Sequence, residues 1–385
     1  MTIYFDNAST SYPKPQCVYS AVQHALTDIG ASPGRGAYRL AREASEIISR
    51  TRQKASRLLG ISEPERLVFT KNATEGINAA LKGWLRPGDR VVLSSLEHNA
   101  VVRPLTRLSN EGITRTIINC SSGGLIDIAE LKKQLCPPPR LVVLVHASNV
   151  NGALQPVEEI AALCTKAGVP LLLDAAQTAG VQPVQAALWN LGMLVCSGHK
   201  GLLGPPGVGL LYVRPGLEIH PLIEGGTGSR SEELTQPDFY PDRMESGTLD
   251  LPAIAGLEAG MDFISEKGVE AFRDNELCHA GVLEQSLSAL DRVRVFSPAV
   301  RGTGVVSFTI KGMNPSDVGF ILDEAFDIAV RTGLHCAPLA HKTLGTYPEG
   351  TVRISPGWFT SSDDIQALMD ARKILIRQRL KKPEP

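Results

Sequence analysis

Short unbroken apolar runs alternate along this chain with longer stretches in which apolar residues return every third or fourth position. Residues 41–59 carry Ala44, Ile47, Ile48, Ala55, Leu58 and Leu59 on one stripe and stop at Gly60, the pattern of an amphipathic helix. Beyond it, the runs at 67–69, 91–93, 116–118, 141–145, 171–173 and 193–196 are apolar throughout or nearly so. A strand with one wet face alternates, whereas a strand covered on both faces does not, so these runs predict doubly buried strands. Helical stretches near 75–84, 98–109, 127–135 and 156–167 separate them. A seventh strand at 208–213 follows the turn Gly204-Pro205-Pro206-Gly207. Strand–helix alternation of this kind predicts an α/β fold, a mainly parallel seven-stranded sheet with helices on both faces.

The texture then changes. Residues 224–250 are rich in Gly, Ser, Thr and acidic residues and lack periodicity, which predicts a long functional loop. Helices at about 252–265 and 269–288, strands at 305–310, 328–331 and 351–354, and a last helix near 362–379 form an α+β pattern. The expected division is a large unit over 15–258 and a small α+β unit built from 1–14 and 259–385. The tail Lys381-Lys382-Pro383-Glu384-Pro385 is expected to fray.

Charge narrows the function classes. Lys and Arg total 39 against 40 Asp and Glu, a formal net charge of -1. That balance offers no field for nucleic acid or for an anionic membrane, so a small-molecule partner is expected. No apolar run is long enough to span a bilayer, and the start lacks the features of an export signal. The seven cysteines are scattered and never form a C-x-x-C pair, which argues against disulfides and against a metal site and fits a reducing cytoplasm.

Against that background five polar residues stand out, because each follows a different predicted strand. Lys200 lies in Ser197-Gly198-His199-Lys200-Gly201, on a glycine-rich turn. Asp174 closes the strand before Ala175-Ala176-Gln177; a carboxylate there can keep a pyridinium protonated, or simply cap a helix. Gln177 is placed to hydrogen-bond the phenolic oxygen of the same ring. The turn Thr70–Asn78 brings Ala73 and Thr74 to a helix N-terminus, which favours a single phosphate; an ordinary capping box is the alternative. His98 can stack on a flat heteroaromatic ring or be a structural histidine, and Asn149 can donate to the ring oxygen. In a parallel sheet all these strand ends share one edge, so Thr74, His98, Asn149, Asp174 and Lys200 describe one site.

Asp174-Ala175-Ala176-Gln177 together with Ser197-Gly198-His199-Lys200 resembles the class V aminotransferase family, and the likeness runs from Asp6-Asn7-Ala8 to the helix after Arg353. The resemblance implies fold type I, pyridoxal 5'-phosphate held as a Schiff base on Lys200, and a homodimer with sites at its interface. It also implies that Ser197 and His199 help hold the phosphate and that Thr248 reaches the phosphate of the partner's site.

The string Arg331-Thr332-Gly333-Leu334-His335-Cys336-Ala337 resembles the active loop of group II cysteine desulfurases and selenocysteine lyases. A thiolate at Cys336, stabilised by Arg331 and His335, is then the expected nucleophile. Arg353 matches the family's arginine for the substrate carboxylate, and Asn7 and Ala8 match a stretch lining the substrate pocket. The expected catalytic residues are Lys200, Cys336 and His98, with Asn149 on the substrate side as well. The implied reaction turns L-cysteine into alanine and leaves a persulfide on Cys336 for an unidentified acceptor protein. L-Selenocysteine as substrate, an aminotransferase or epimerase of the same family, and a sulfur-relay scaffold without turnover are the alternatives. Trp358-Phe359-Thr360 and the segment 33–39 depart from the family pattern.

Overall fold

The computed structural model describes residues 2–34 and 36–378. The chain opens with a short strand, β1 (Ile3–Tyr4), and the helices α1 (Gln16–His24) and α2 (Arg39–Leu58). The apolar runs then become β2 (Leu67–Thr70), β3 (Arg90–Ser94), β4 (Thr114–Ile118), β5 (Leu141–Val145), β6 (Leu171–Asp174), β7 (Met193–Ser197) and β8 (Gly209–Val213). Between them lie α3 (Ala73–Trp84), α4 (Asn99–Ser109), α5 (Ile128–Gln134) and α6 (Val157–Lys166).

These seven strands form one sheet in the order β2-β8-β7-β6-β5-β3-β4. Only β8 runs against its neighbours, and the other pairs are parallel. Flanked by β8 on one side, β2 therefore points the same way as β7. Odd and even positions enter different cores: Val142, Leu144, Leu171 and Leu173 pack on one face, and Val91, Leu93, Val143 and Leu172 on the other. Burial on both faces is why the sequence shows solid apolar runs. The carboxyl ends of β2, β3, β5, β6 and β7 consequently share one edge.

No helix or strand forms over 224–250. After it come α7 (Leu251–Lys267), α8 (Val269–Ser288), β9 (Val293–Val295), β10 (Val306–Ile310), α9 (Pro315–Phe326), β11 (Ile328–Ala329), β12 (Arg331–Gly333), α10 (Pro338–Leu344), β13 (Thr351–Ile354) and α11 (Ser362–Gln378). An antiparallel sheet, β12-β13-β10-β9, covers a third core around Phe308, Val352 and Leu368. The strand expected over 328–331 is two strands in different sheets. Ile328 and Ala329 pair in parallel with β1, whereas Arg331 changes partner and stands directly opposite Arg353 on β13. That register puts two guanidinium groups side by side.

We propose domain boundaries at 15–258 for the large unit and 1–14 plus 259–385 for the small one. The pairing of β1 with β11 and the separate third core support them. The expected fraying at 381–385 lies outside the described residues, as does Arg35 of the segment 33–39.

Candidate active site

The turn after β2 is a capped helix N-terminus with donors to spare. Asn72 Oδ1 accepts from the Glu75 N–H at 3.0 Å, and the Glu75 carboxylate accepts from the Lys71 N–H. This capping box leaves the N–H groups of Ala73 and Thr74 without a partner among the described residues. At the positive end of a 12-residue helix those two donors favour an anion. Strand β8 comes close enough to shape the turn because Gly209 has no side chain; a Cβ there would lie 2.5 Å from the Asn72 carbonyl carbon.

A cavity of about 700 Å³ opens beside this turn and is lined by Asn72, Glu75, His199 and Thr248. In the same loop, three residues before Thr248, Glu245 takes both guanidinium nitrogens of Arg52 at 2.8 and 2.9 Å and the Phe69 N–H at 2.7 Å. His199 also faces the cavity, and its Nδ1 is buried without a partner. Burial, then the charges of Lys200 and Lys14, pull the His199 imidazole down to about 4, so it is neutral. Ser197 is buried at the end of β7.

Asp174 is buried at the end of β6. One carboxylate oxygen accepts from the Ala176 N–H at 2.9 Å across a turn, with no helix following for it to cap, and the other oxygen stays available. Burial raises the Asp174 carboxyl above its ordinary value, while the Ala176 hydrogen bond and the charge of Lys200 oppose that. His98 caps α4, its Nδ1 accepting from the Ala100 N–H at 3.0 Å, which places the ring proton on Nε2. Burial and the positive charges of Lys200 and Arg331 lower it to about 4. A neutral ring of fixed tautomer results.

Next to it, Glu97 is fully buried, accepts from Ser94 Oγ at 2.6 Å and the Val145 N–H at 2.9 Å, and is pushed by burial to about 8. Sequence reasoning missed Glu97, since one acidic residue between Leu96 and His98 carries no pattern.

Lys200 sits among Asp174, Arg331, Arg353 and Cys336, all close enough to act on its charge. Burial lowers its amine to about 8, with Arg353 and Arg331 adding to the effect and Asp174 opposing it. An amine so depressed is neutral, and nucleophilic, from about pH 8 upward, where an ordinary lysine remains protonated. The rate at which the cofactor-free protein captures pyridoxal phosphate should therefore rise with pH to a midpoint near 8. A midpoint near the ordinary lysine value of 10.5 would refute the buried, cation-flanked setting.

The loop after β12 carries Cys336. His335 and Cys336 both take left-handed backbone angles, with φ of 47° and 58°. Side chains resist that region, so the loop is strained and held by contacts. The Asn99 N–H donates to the Cys336 carbonyl at 2.7 Å, and Asn149 Nδ2 donates to the His335 carbonyl at 2.7 Å. Arg331 Nη2 lies 3.3 Å from Cys336 Sγ, and its Nη1 donates to Ser9 Oγ at 2.7 Å.

The expectation that His335 also supports the thiolate is corrected. His335 is buried, shares a hydrogen bond with Thr351 Oγ1 at 2.9 Å, and is driven by burial down to about 2, so it carries no charge to offer. Of the two, Arg331 is the one in contact with the sulfur.

Arg353 is only 1% exposed. Its Nη2 donates to Asp6 Oδ1 at 2.6 Å and Ser9 Oγ at 2.9 Å, its Nη1 to the Asn149 carbonyl at 3.0 Å, and its Nε is buried without a partner. Asp6 and Ser9 are further contributors to which the sequence reading gave no role; Ser9 Oγ accepts from both arginines and Asp6 from Arg353.

Asn7, Ala8, Gln177 and Lys200 line a second, smaller cavity of about 40 Å³. Gln177 Nε2 donates to the Ala8 carbonyl at 3.0 Å, where the sequence suggested a ring oxygen. Asn7 spends its amide on fastening the N-terminal segment, donating to the Ser355 carbonyl at 3.0 Å and accepting from the Tyr12 N–H at 3.1 Å. The departing residue Trp358 stacks on Phe272 with ring centres 4.1 Å apart, so it closes this cavity with an aromatic wall.

The described residues hold no group of three or more acidic, histidine or cysteine side chains suited to a metal, and no helix long and apolar enough to cross a membrane.

The family model for aminotransferase class V matches residues 3–368. A probable cysteine desulfurase of Methanothermobacter thermautotrophicus is 34% identical over 372 residues, 95% of this chain and 92% of that one. A cysteine desulfurase of Serratia proteamaculans is 32% identical, covering 87% and 84%. Among solved structures, the apo cysteine desulfurase of Thermococcus onnurineus superposes with a TM-score of 0.90 at 31% identity, over 98% of this chain and 95% of that one. The cysteine desulfurase CsdA of Escherichia coli gives 0.88 at 26%, with the same coverage.

Proposed function

Since the chain belongs to the class V aminotransferase family, we propose that it is a pyridoxal-phosphate-dependent cysteine desulfurase, taking sulfur from L-cysteine onto Cys336 and releasing alanine. The observation that carries the reading is the placement of Cys336 Sγ 3.3 Å from Arg331, on a strained loop within electrostatic reach of Lys200.

The residues present fit the cofactor. The unpaired N–H groups of Ala73 and Thr74, with Ser197 and the free Nδ1 of His199, suit a phosphate, and Thr248 on the cavity lining is the residue the family resemblance assigns to the phosphate of a second copy's site. Asp174 suits the ring nitrogen, His98 the ring face, and Lys200 the aldehyde. Gln177 and Asn149, whose buried Oδ1 has no partner, suit the ring's polar edge. When bound, the group supplies an aldehyde for the substrate amine and a protonated ring that draws electrons from the α-carbon.

Arg353 receives the substrate carboxylate, its unpartnered Nε–H supplying a donor, while Asn149, Asn7 and Ala8 bound the substrate side. Lys200, neutral near pH 8, removes the α-proton and carries it within the site. Arg331 Nη2 donates toward the Cys336 sulfur at 3.3 Å and orients it. Cys336 sulfur then bonds to the substrate sulfur as the substrate's carbon–sulfur bond breaks. The carbon keeps the electron pair, takes a proton and leaves as alanine.

A homodimer fits the exposed Leu222 and Ile223 on the rim of the cavity that Thr248 lines, and we infer that a second copy covers it. The persulfide would pass to an acceptor protein in the cytoplasm, a setting consistent with seven free cysteines. Product analysis tests the function directly. With L-cysteine and a reductant, alanine and sulfide should appear in equal amounts, and a parallel assay on L-selenocysteine ranks the two substrates. Conversion of the cofactor to its amine form without sulfide would instead make the protein an aminotransferase.

A further inference from the structure

One segment near the start of the chain grips the backbone on both sides of Lys200. The Ser11 N–H, Thr10 Oγ1 and Lys14 Nζ donate to the His199 carbonyl oxygen at 3.0, 3.1 and 2.8 Å. Lys14 Nζ also donates to Ser11 Oγ at 2.6 Å, and Ser11 Oγ lies 2.9 Å from the Lys200 carbonyl oxygen. A hydroxyl has a single hydrogen, and with the ammonium donating to its oxygen that hydrogen serves the Lys200 carbonyl at 2.9 Å, the shorter contact, or the His199 carbonyl at 3.2 Å. Lys14 thus holds the carbonyl before the Lys200 Cα directly and the one after it through Ser11.

The turn needs such a grip. Lys200 is flanked by Gly198 and Gly201, and both glycines are required by packing. A Cβ on Gly201 would lie 2.5 Å from the Ala179 carbonyl oxygen, and one on Gly198 would lie 2.8 Å from Val208. Glycines have no side chains with which to fix a backbone, and a small rotation at the Lys200 Cα is magnified along its long side chain. Lys14 is half-buried and makes no ion pair with a carboxylate among the described residues. Its two acceptors are therefore its polar contacts, and both belong to the Lys200 support.

We propose that Lys14 is a positioning residue for Lys200, fixing the turn through the His199 carbonyl and the Ser11 hydroxyl so that the Lys200 amine meets the cofactor aldehyde in one geometry. The inference rests on the reading of Lys200 as the cofactor lysine. Misplacement of reacting groups by about 1 Å costs roughly a hundredfold in rate, so a partial loosening is expected to cost about tenfold.

The test uses the full chain as wild type, Lys14→Met, Lys14→Arg and Ser11→Ala, each titrated with pyridoxal phosphate while its visible band is followed. Lys14→Met should need about tenfold more cofactor for half of the band and form it more slowly. Its turnover of L-cysteine should fall about tenfold at unchanged KM. Ser11→Ala should shift the same way, and Lys14→Arg should recover most of the loss, because it keeps a cationic donor. Titrations of Lys14→Met and Ser11→Ala that overlay the wild type would overturn the proposal, and if Lys14→Met does not fold, an unshifted Ser11→Ala suffices. Lys14→Arg no better than Lys14→Met, with thermal stability lowered in both, would assign a purely structural role and overturn it too. A wild type that forms no band removes the Lys200 reading itself, whereas a normal band in every variant removes only this inference.

Discussion

Replacing Cys336 with serine should abolish release of alanine and sulfide from L-cysteine while leaving the visible absorption of the Lys200-linked cofactor unchanged. The expectation follows from what the side chain touches. Cys336 Sγ contacts Arg331 at 3.3 Å, and its carbonyl is tied to the Asn99 N–H next to His98. Serine preserves the loop but offers a hydroxyl that does not ionise near neutral pH and cannot accept sulfur as a stable persulfide. Removing a covalent nucleophile lowers turnover by more than about a thousandfold. Retention of even a tenth of the activity would mean that another group receives the sulfur.

Alanine at position 200 should have the other large effect. Without the amine the protein can bind pyridoxal phosphate only through contacts such as those of Asp174, His98 and the start of α3, so the covalent band should vanish. Proton transfer by a positioned lysine contributes about a hundred- to ten-thousandfold, and loss of the covalent link adds to it. The Lys200→Ala protein should therefore show no turnover above background while keeping its fold, since the Lys200 side chain makes no hydrogen bond among the described residues. Asp174→Asn offers a contrast: the band persists, but turnover falls, because a neutral amide cannot stabilise a protonated ring nitrogen.

The large sheet was legible because its strands are buried on both faces, so runs such as 141–145 show in the sequence and in the structure with the same bounds. The shared edge was legible for the same reason: Thr74, His98, Asn149, Asp174 and Lys200 each follow a strand of one direction, and β8, the antiparallel exception, carries none of them. Elements that rest on distant partners were not legible. β1 has two residues and exists only by pairing with β11 some 320 positions away in sequence, about the span from Ile3 to Ile328. α1 buries little beyond Val18, and α9 leaves Phe320 66% exposed, so neither shows a clean stripe.

Side-chain direction was harder still. His335 reads as a partner of Cys336 by proximity in sequence, but two consecutive left-handed residues turn it inward to Thr351. Lys14, Asp6 and Ser9 join the site only because β1 docks against the small unit and carries the following residues across to Arg353 and the Lys200 turn. Nothing local marks them. Arg353 shows the converse: its residue type was informative, but its anchoring by Asp6, Ser9 and the Asn149 carbonyl is a product of tertiary contacts.

Borohydride reduction of the cofactor-loaded protein, followed by peptide mapping, bears on the centre of this account. The pyridoxyl group should be found on the peptide containing Ser197-Gly198-His199-Lys200, attached to the Lys200 nitrogen and nowhere else in comparable amount. Label on a different lysine, or none at all from protein that binds the cofactor, would contradict it.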